Sequence, residues 1–304
     1  MKIQYLHDTE KVSNPPVGAV YAIGNFDGVH LGHRRLFDIC RTLAAKYGNA
    51  PVGAFTFDGI EKGGGRLICD ADRAALLGEC GADFVICEDF SAIRDMSPEE
   101  FVRNYLRDSL HPRAVVCGEN FRFGARASGD ARLLGELLAA EGIDHAAAET
   151  VVLDGEAVST TRIKRELEEG NVAAAESLLG RRYSFALPVE SGKHIGRKLG
   201  APTANQLFSG NLFVPRHGVY ATNVTVEHQK YRAVTNIGER PTFDDGNSIT
   251  AESYIIGYDG EPLYGKVLRV ELLEFLRPER RFDSPGALAE QIRSDTARAA
   301  SVVE

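Results

Sequence analysis

The chain has 304 residues, of which 43% are hydrophobic and 26% are charged, and its formal net charge is -8. This length is enough for two ordinary domains with cores of their own, and the composition is normal for a soluble globular protein. The negative charge disfavours a nucleic-acid binder, because phosphate backbones require a basic surface, and no apolar run reaches the length of a membrane span.

The five cysteines lie in the first half of the chain and form no Cys-x-x-Cys pair. An odd number of scattered cysteines is typical of reduced thiols rather than of a disulfide framework. The first residues also lack the apolar core of a signal peptide. Both observations predict a cytoplasmic protein.

The stretch 19–33 predicts a strand, a tight loop and the start of a helix. Residues 19–23 form a short apolar run that a glycine ends, and apolar residues recur at helical spacing over 36–47. His30 and His33 therefore lie where the loop enters the helix. A helix start offers free N–H groups and the positive end of the helix dipole, and both suit a phosphate group.

Glycines beside the two histidines favour a ligand site at this helix start. Gly28 and Gly32 allow a backbone to approach a ligand closely, and two imidazoles can stabilise charge that develops on a phosphate. The simpler alternative is a strand-to-helix turn with incidental histidines. A zinc site is the weaker interpretation, because no glutamate follows the first histidine as a metalloprotease helix requires.

The rest of the first half alternates strands with helices. Strands are predicted at 51–57, 83–87, 113–117 and near 146–153. Helices are predicted at 70–79, 97–110 and 171–179, near 130–140, and from 158 onwards. Such alternation predicts a parallel, doubly wound sheet, whose ligands bind beyond the carboxyl ends of the strands. His30 and His33 would lie at that edge.

The pattern changes near residue 183. Strand-like runs follow at 219–227, 231–236, 251–258 and 267–275, and a last helix covers about 285–300. Consecutive strands separated by glycine and proline predict an antiparallel barrel or sandwich. We therefore expect two domains, at 1–183 and 184–304.

A second stretch with chemical character runs from Gly196 to Asn205. It contains glycines and two cations, followed by the hydroxyl of Thr203 and the amide of Asn205. These groups suit a phosphate and Mg²⁺, which prefers oxygen ligands and takes few of them from the protein. On its own, the same stretch also fits an ordinary loop.

Several of these stretches resemble one known family. Residues 24–33, Gly-Asn-Phe-Asp-Gly-Val-His-Leu-Gly-His, resemble the nucleotidylyltransferase signature in the form found in bacterial bifunctional riboflavin kinase/FAD synthetases. Further elements that resemble this family stand at 118–124 and 159–164 in the first half. In the second half, riboflavin-kinase elements are matched in order at 202–205, 236–243, 251–254, 263–265 and 275–279.

The resemblance implies a fold and a function for each half. Residues 1–183 would form a Rossmann-like nucleotidylyltransferase domain that joins FMN to the adenylyl group of ATP and releases pyrophosphate. Residues 184–304 would form an antiparallel β-barrel kinase domain with a terminal helix that phosphorylates riboflavin to FMN. The implied partners are the small molecules riboflavin, FMN, FAD and ATP, with Mg²⁺ as cofactor and neither nucleic acid nor membrane.

The resemblance also implies roles for single residues. His30 and His33 would stabilise charge in adenylyl transfer, and Glu252 would be the base for the riboflavin hydroxyl. The implied ATP and phosphate contacts are Gly24, Asn25, Phe26, Asp27, Gly28, His30, His33, Asn120, Ser159, Thr160, Arg162, Gly196, Lys198, Thr203 and Asn205. The implied flavin contacts are Phe57, Phe121, Arg122, Asn236 and Arg277. Thr203 and Asn205 would bind Mg²⁺.

Two departures from the family pattern leave alternatives open. The loop after Phe57 lacks the usual Pro-His-Pro element and is shortened, and Lys164 replaces the usual final arginine of its element. One alternative is therefore a riboflavin kinase with weakened or lost adenylyltransferase activity, and another is a non-catalytic flavin-binding regulator. For single residues, Phe121 also fits a core position, Glu252 a solvated strand position and Arg277 a surface ion pair.

Overall fold

The structure is a computed structural model that describes residues 2–5, 14–59, 64–190, 203–208, 210–240 and 248–303. The chain divides into two units. The first unit is formed by Met1–Gly63 and Asp70–Thr160, and the second unit by Gly64–Cys69 and Thr161–Glu304. None of the helices in the described ranges combines the length and hydropathy that a membrane span requires.

The first unit is an α/β structure. Its strands are β1 (Lys2–Tyr5), β2 (Val20–Ile23), β3 (Val52–Asp58), β4 (Phe84–Asp89), β5 (Ala114–Gly118), β6 (Arg122–Phe123), β7 (Gly129–Asp130), β8 (Asp144–Ala148), β9 (Val152–Leu153) and β10 (Glu156–Ala157). Its helices are α1 (Leu31–Lys46), α2 (Asp70–Glu79), α3 (Pro98–Glu100), which continues as a π-helix over Phe101–Leu110, and α4 (Ala131–Ala140).

Six of these strands form one sheet in the order β1-β4-β3-β2-β5-β8. All neighbouring strands are parallel except β1, which pairs with β4 in the antiparallel sense. Every residue of β2 is buried, as expected for a central parallel strand covered on both faces. The predicted doubly wound sheet is confirmed, and its carboxyl edge carries the chain segments that follow β2, β3 and β5.

Two predicted elements of this unit differ in detail. The helix predicted at 97–110 begins with the expected capping box, in which Ser97 and Glu100 each accept a backbone N–H from the other, but it continues as a π-helix. Apolar spacing over ten residues does not separate the two helix types. The strand predicted near 146–153 is two strands, because the N–H of Thr150 donates to the Glu119 carboxylate rather than to a neighbouring strand.

In the part of the chain that the structure describes, the second unit is a barrel accompanied by helices. Its strands are β11 (Ser184–Glu190), β12 (Thr203–Leu207), β13 (Gly218–Val226), β14 (Gln229–Arg240), β15 (Ser248–Ile255) and β16 (Val267–Arg277). The helices are α5 (Thr160–Glu169), which begins at the last residue of the first unit, α6 (Val172–Leu179) and α7 (Pro285–Ser301). The units divide after Thr160, the first residue of α5, whereas the predicted domain boundary lies at residue 183, which stays a prediction.

The barrel is closed in the order β11-β12-β15-β14-β13-β16, and every neighbouring pair is antiparallel. Its interior contains polar side chains that bond one another, such as Thr235, which lies 2.8 Å from both Thr222 and Ser253 through their hydroxyl oxygens. The antiparallel barrel and its terminal helix are confirmed. The alternative of an ordinary loop does not hold for 203–205, because these residues pair with β15 as part of β12.

Candidate active sites

The loop that joins β2 to α1, residues 24–30, has an unusual backbone. Phe26 and Val29 adopt φ angles of 50° and 40°, and Gly28 adopts 85°. Left-handed φ angles are strained for a phenylalanine and especially for a β-branched valine. They persist only where the surroundings fix the backbone, which is common at ligand sites. This loop, called the phosphate loop below, is the segment that the sequence predicts to bind phosphate.

Three hydrogen bonds fix the phosphate loop to its own unit. The N–H of Gly24 donates to the Phe55 carbonyl at 3.1 Å and so extends the ladder between β2 and β3. The hydroxyl of Thr56 donates to the Asn25 carbonyl at 3.1 Å. The Thr160 hydroxyl donates to the carbonyl of Asp27, a buried residue, at 2.9 Å. The first half of the loop, from Gly24 to Asp27, is therefore held in place.

The two predicted histidines stack on each other at the start of α1. The ring centroids of His30 and His33 lie 3.7 Å apart, with an angle of 18° between the ring planes. His30 is the N-cap residue of α1 and is buried, and the edge of Phe26 supports His33 at 5.2 Å. Gly32 leaves room for this packing, since a Cβ atom there would lie 3.1 Å from the His30 ring, a tight contact that would require the ring to shift. The helix start thus brings two imidazoles together beside the backbone N–H groups of the first turn.

The predicted flavin residues of the first half lie on segments at the carboxyl edge of the same sheet. Phe57 is buried and contacts Phe55 and Phe90 in edge-on geometry. Phe121 is half-buried and stacks on Phe123 with ring centroids 6.0 Å apart. Asn120 and Arg122, on either side of Phe121, are exposed. Phe57 thus also serves the core, as does Phe123.

The predicted phosphate-binding residues at the start of α5 differ in their contacts and in the unit to which they belong. Ser159 is half-buried beside Thr160, whose bond to the phosphate loop is described above. Arg162 is buried and belongs to the second unit. Lys164, which replaces the usual arginine, donates to the Gly65 carbonyl and lies 5.7 Å from the centre of the Phe213 ring. The described contacts of Lys164 are therefore internal to the second unit.

The predicted kinase residues form a row across the barrel. In the strand register, Asn205 of β12 pairs with Glu252 of β15, which pairs with Asn236 of β14. Paired residues point to the same face of a sheet. Their neighbours along the strands, such as Gln206 and Ser253, are fully buried, so the row lies on the outer face, and each of its members is half-buried.

Thr203 extends this row toward the end of the barrel. The Asn205 amide nitrogen donates to the Thr203 carbonyl at 3.3 Å and approaches its hydroxyl oxygen at 3.4 Å. The amide nitrogen is occupied in this way, so the amide oxygen is left as an acceptor. Hydroxyl and amide oxygens beside a carboxylate, that of Glu252, are a donor set that fits Mg²⁺.

A pocket of about 300 Å³ adjoins Thr203 and Asn205. Its other wall is the loop after β15, which includes Tyr258, Leu263 and Tyr264. The Tyr258 ring is fixed by Tyr231, which it meets edge-on at 5.5 Å, and by its hydroxyl, which donates to the Glu261 carbonyl. The lining mixes apolar side chains, such as Val189, Ile255 and Leu263, with polar groups on both walls, so the pocket can hold a small molecule that has both characters.

The two predicted flavin residues of the barrel have partners that the sequence did not identify. The Asn236 amide donates to the Glu279 carboxylate at 2.9 Å. Arg277 forms a two-pronged ion pair with Asp295 of α7, with distances of 2.8 to 3.2 Å between their nitrogen and oxygen atoms. The ion pair that the sequence left open for Arg277 is therefore present, but its partner is a buried residue.

Gly196 and Lys198, predicted as phosphate contacts, lie outside the described residues, as does the 241–243 part of the element at 236–243. Burial raises the pKa of the Cys117 thiol, at the end of β5, to about 12. That thiol is therefore protonated at neutral pH and no nucleophile.

Sequence reasoning also missed Thr56 and Arg73, whose contacts join residues that are distant along the chain and so leave no local sequence pattern.

The chain is similar to known proteins over most of its length. The FAD synthetase family model matches residues 13–162, and the riboflavin kinase family model matches residues 179–303. The bifunctional riboflavin kinase/FMN adenylyltransferase of Pseudomonas fluorescens is 36% identical over 290 residues, which cover 93% of this chain and 92% of that protein. The Escherichia coli K12 protein of the same name is 34% identical, with 92% and 91% covered.

A solved structure has the same fold. The crystal structure of a protein from Streptococcus pneumoniae named a macrolide-efflux protein superimposes with a TM-score of 0.85 and 27% identity, covering 95% of both chains. Only the fold is carried over from that structure. The two family matches, and the sequence similarity that extends over nine-tenths of the chain, agree with the motifs and with the folds of the two units. The chain therefore belongs to the bifunctional riboflavin kinase/FMN adenylyltransferase family.

Proposed function

We propose that the two reactions of this enzyme of FAD biosynthesis are divided between the two halves of the chain. The enzyme phosphorylates riboflavin to FMN and adenylylates FMN to FAD, each time with ATP. Adenylyl transfer is assigned to residues 1–183 and phosphorylation to 184–304. The order of the two family matches, 13–162 and 179–303, supports this division.

In adenylyl transfer, an FMN phosphate oxygen attacks the α-phosphorus of ATP, and pyrophosphate leaves with the electrons of the broken bond. His30 and His33 donate hydrogen bonds to the phosphate oxygens on which charge accumulates and form no covalent intermediate. The phosphate loop, Ser159 and Thr160 bind the phosphates, together with Asn120 and Arg162. The observation that supports this role best is the stacked histidine pair at the start of α1.

In phosphorylation, Glu252 accepts the proton of the riboflavin 5′-hydroxyl while that oxygen attacks the γ-phosphorus and ADP leaves. The position of Glu252 between Asn205 and Asn236 supports this role. Thr203 and Asn205 would hold Mg²⁺, which when bound offsets the charge of the ATP phosphates. Gly196 and Lys198 are proposed as further phosphate contacts, on their sequence alone.

We also propose which residues contact the flavins and where in the cell the protein is located. Phe57, Phe121 and Arg122 would contact FMN in the first half, and Asn236 and Arg277 riboflavin in the second. A cytoplasmic location is proposed because all five cysteines are free thiols, which suits a reducing compartment. Cell fractionation followed by immunodetection tests the location.

One product assay tests the function as a whole. The purified protein is incubated with riboflavin, ATP and Mg²⁺, and the flavins are separated by chromatography. We expect FMN first and then FAD. FMN alone would favour the kinase without adenylyltransferase activity, and neither product would favour the flavin-binding regulator. Addition of a chelator is expected to stop both reactions, and activity that survives chelation would contradict the assignment of Mg²⁺.

A further inference from the structure

A buried arginine contacts the last residues of β3, at its carboxyl end. Arg73 of α2 is only 4% exposed. Its guanidinium donates to the Phe57 carbonyl at 3.2 Å and to the carboxylates of Asp58 and Asp70 at 2.9 and 3.0 Å. One side chain thus joins the two residues that bound the segment 59–69.

The same guanidinium is linked to the phosphate loop through Thr56. The Thr56 hydroxyl is fully buried, accepts from Arg73 at 3.4 Å and donates to the Asn25 carbonyl at 3.1 Å. A hydroxyl has one donor and two acceptor positions, so both bonds form at once. The Arg73–Thr56–Asn25 link therefore connects α2, β3 and the phosphate loop inside the first unit.

This link fixes the orientation of the peptide between Asn25 and Phe26, in the phosphate loop. A trans peptide is planar, with its C=O and N–H pointing in opposite directions. A hydrogen bond that fixes the Asn25 carbonyl therefore also fixes the direction of the Phe26 N–H. Phe26 is the first of the residues with a left-handed φ angle in the loop, and its ring supports His33. The orientation of this peptide is thus tied to the position of the histidine.

We propose that Thr56 and Arg73 are positioning residues of the adenylyl-transfer site, which hold the peptide between Asn25 and Phe26 in the orientation that binds the phosphates of ATP. This inference rests on the proposed function of the phosphate loop. Neither side chain needs to touch a substrate. Loss of the link is expected to weaken ATP binding and to slow adenylyl transfer without affecting riboflavin phosphorylation.

The test compares two substitutions at one buried position in the full-length protein. Thr56→Val keeps the shape and the β-branched side chain but removes the hydroxyl, whereas Thr56→Ser keeps the hydroxyl and removes the methyl group. For Thr56→Val we expect kcat/KM for ATP in FAD formation from supplied FMN to fall at least about tenfold, since small misplacements of a site are costly. Thr56→Ser should retain most of the activity. Kinase turnover is measured on the same samples.

Each outcome bears on the proposal. Thr56→Val with FAD formation within twofold of the parent would overturn it, and so would a Thr56→Ser variant as impaired as Thr56→Val, which would indicate packing alone. Arg73→Lys, which keeps the charge but loses the forked donor geometry, should also raise KM for ATP. A His33→Ala sample run in parallel separates the two hypotheses, because its full activity would count against the site itself.

Discussion

At the residue scale, the two histidines are the most direct target in the first unit. His33 stacks on His30 at the start of α1, where hydrogen bonds to developing phosphate charge would form. Loss of one such donor typically costs about 10²–10³ in rate. We expect His33→Ala to reduce FAD formation from supplied FMN by this factor and to leave FMN formation from riboflavin unchanged.

Arg35→Ala is the matched control, because Arg35 lies on the exposed side of the same helix. It should leave both activities unchanged. Equal loss of both activities in His33→Ala would indicate misfolding, and no loss would remove His33 from the mechanism.

Glu252 makes the corresponding prediction for the barrel. Removal of a general base typically costs about 10²–10⁴ in rate. Glu252→Gln keeps the shape of a half-buried residue, so we expect the fold and riboflavin binding to survive while kinase turnover falls by that factor. FAD formation from supplied FMN should be normal. Glu290→Gln, on the exposed face of α7, is the control. Kinase turnover within a few-fold of that of the parent would show that Glu252 is an ordinary strand residue and not the general base.

At the element scale, the ion pair between Arg277 and Asp295 joins the last strand to the terminal helix. Asp295 is 5% exposed, so Asp295→Ala leaves a guanidinium without its counter-charge in a largely dry site. Breaking a buried pair from one side costs about 3 kcal/mol. We expect the free energy of unfolding of the barrel to fall by about that amount in urea titrations. Asp283→Ala, at an exposed position before the helix, should change it little, and an equal effect of the two substitutions would contradict this prediction.

Two buried thiols of the first unit make its folding stability depend on pH. Burial raises the pKa of Cys40 and of Cys117 to about 12. The unfolded chain releases these protons at a lower pH than the folded chain, so stability is full below the ordinary thiol pKa and is lost as pH rises toward 12. Each thiol contributes a slope of up to about 1.4 kcal/mol per pH unit above pH 9. The double variant Cys40→Ala, Cys117→Ala should show a weaker fall between pH 9 and 10, and an unchanged slope would refute the assignment.

The elements predicted well from the sequence are those with strong local patterns. Helix α2 has the predicted bounds, and α1 follows its apolar spacing and buries Leu36, Phe37 and Cys40. Strand β12 was missed, because Thr-Ala-Asn after a proline fits a turn and its pairing with β15 is visible only in three dimensions. The Thr56 and Asp295 contacts were missed for the same reason, since each joins residues that are distant along the chain.

At the scale of the whole molecule, the division of labour predicts independent fragments. The fragment 184–304 contains the whole barrel and is expected to make FMN. The fragment 161–304 adds α5 and α6, and with them the backbone bond from Arg216 to Leu167 and the Arg216 contact with the Glu169 carbonyl. It should therefore be the more stable of the two in thermal unfolding. A folded 161–304 fragment without kinase activity would contradict the assignment of phosphorylation to this half.

The central claim is that two separate sites act in sequence, and a mixing experiment tests it most directly. With riboflavin, ATP and Mg²⁺, the His33→Ala protein alone should accumulate FMN, and the Glu252→Gln protein alone should form almost no FMN or FAD. Mixed in one tube, the two proteins should form FAD, because the first supplies FMN and the second adenylylates it. Failure of the mixture to form FAD, while each folded variant retains its expected single activity on supplied substrate, would contradict the account.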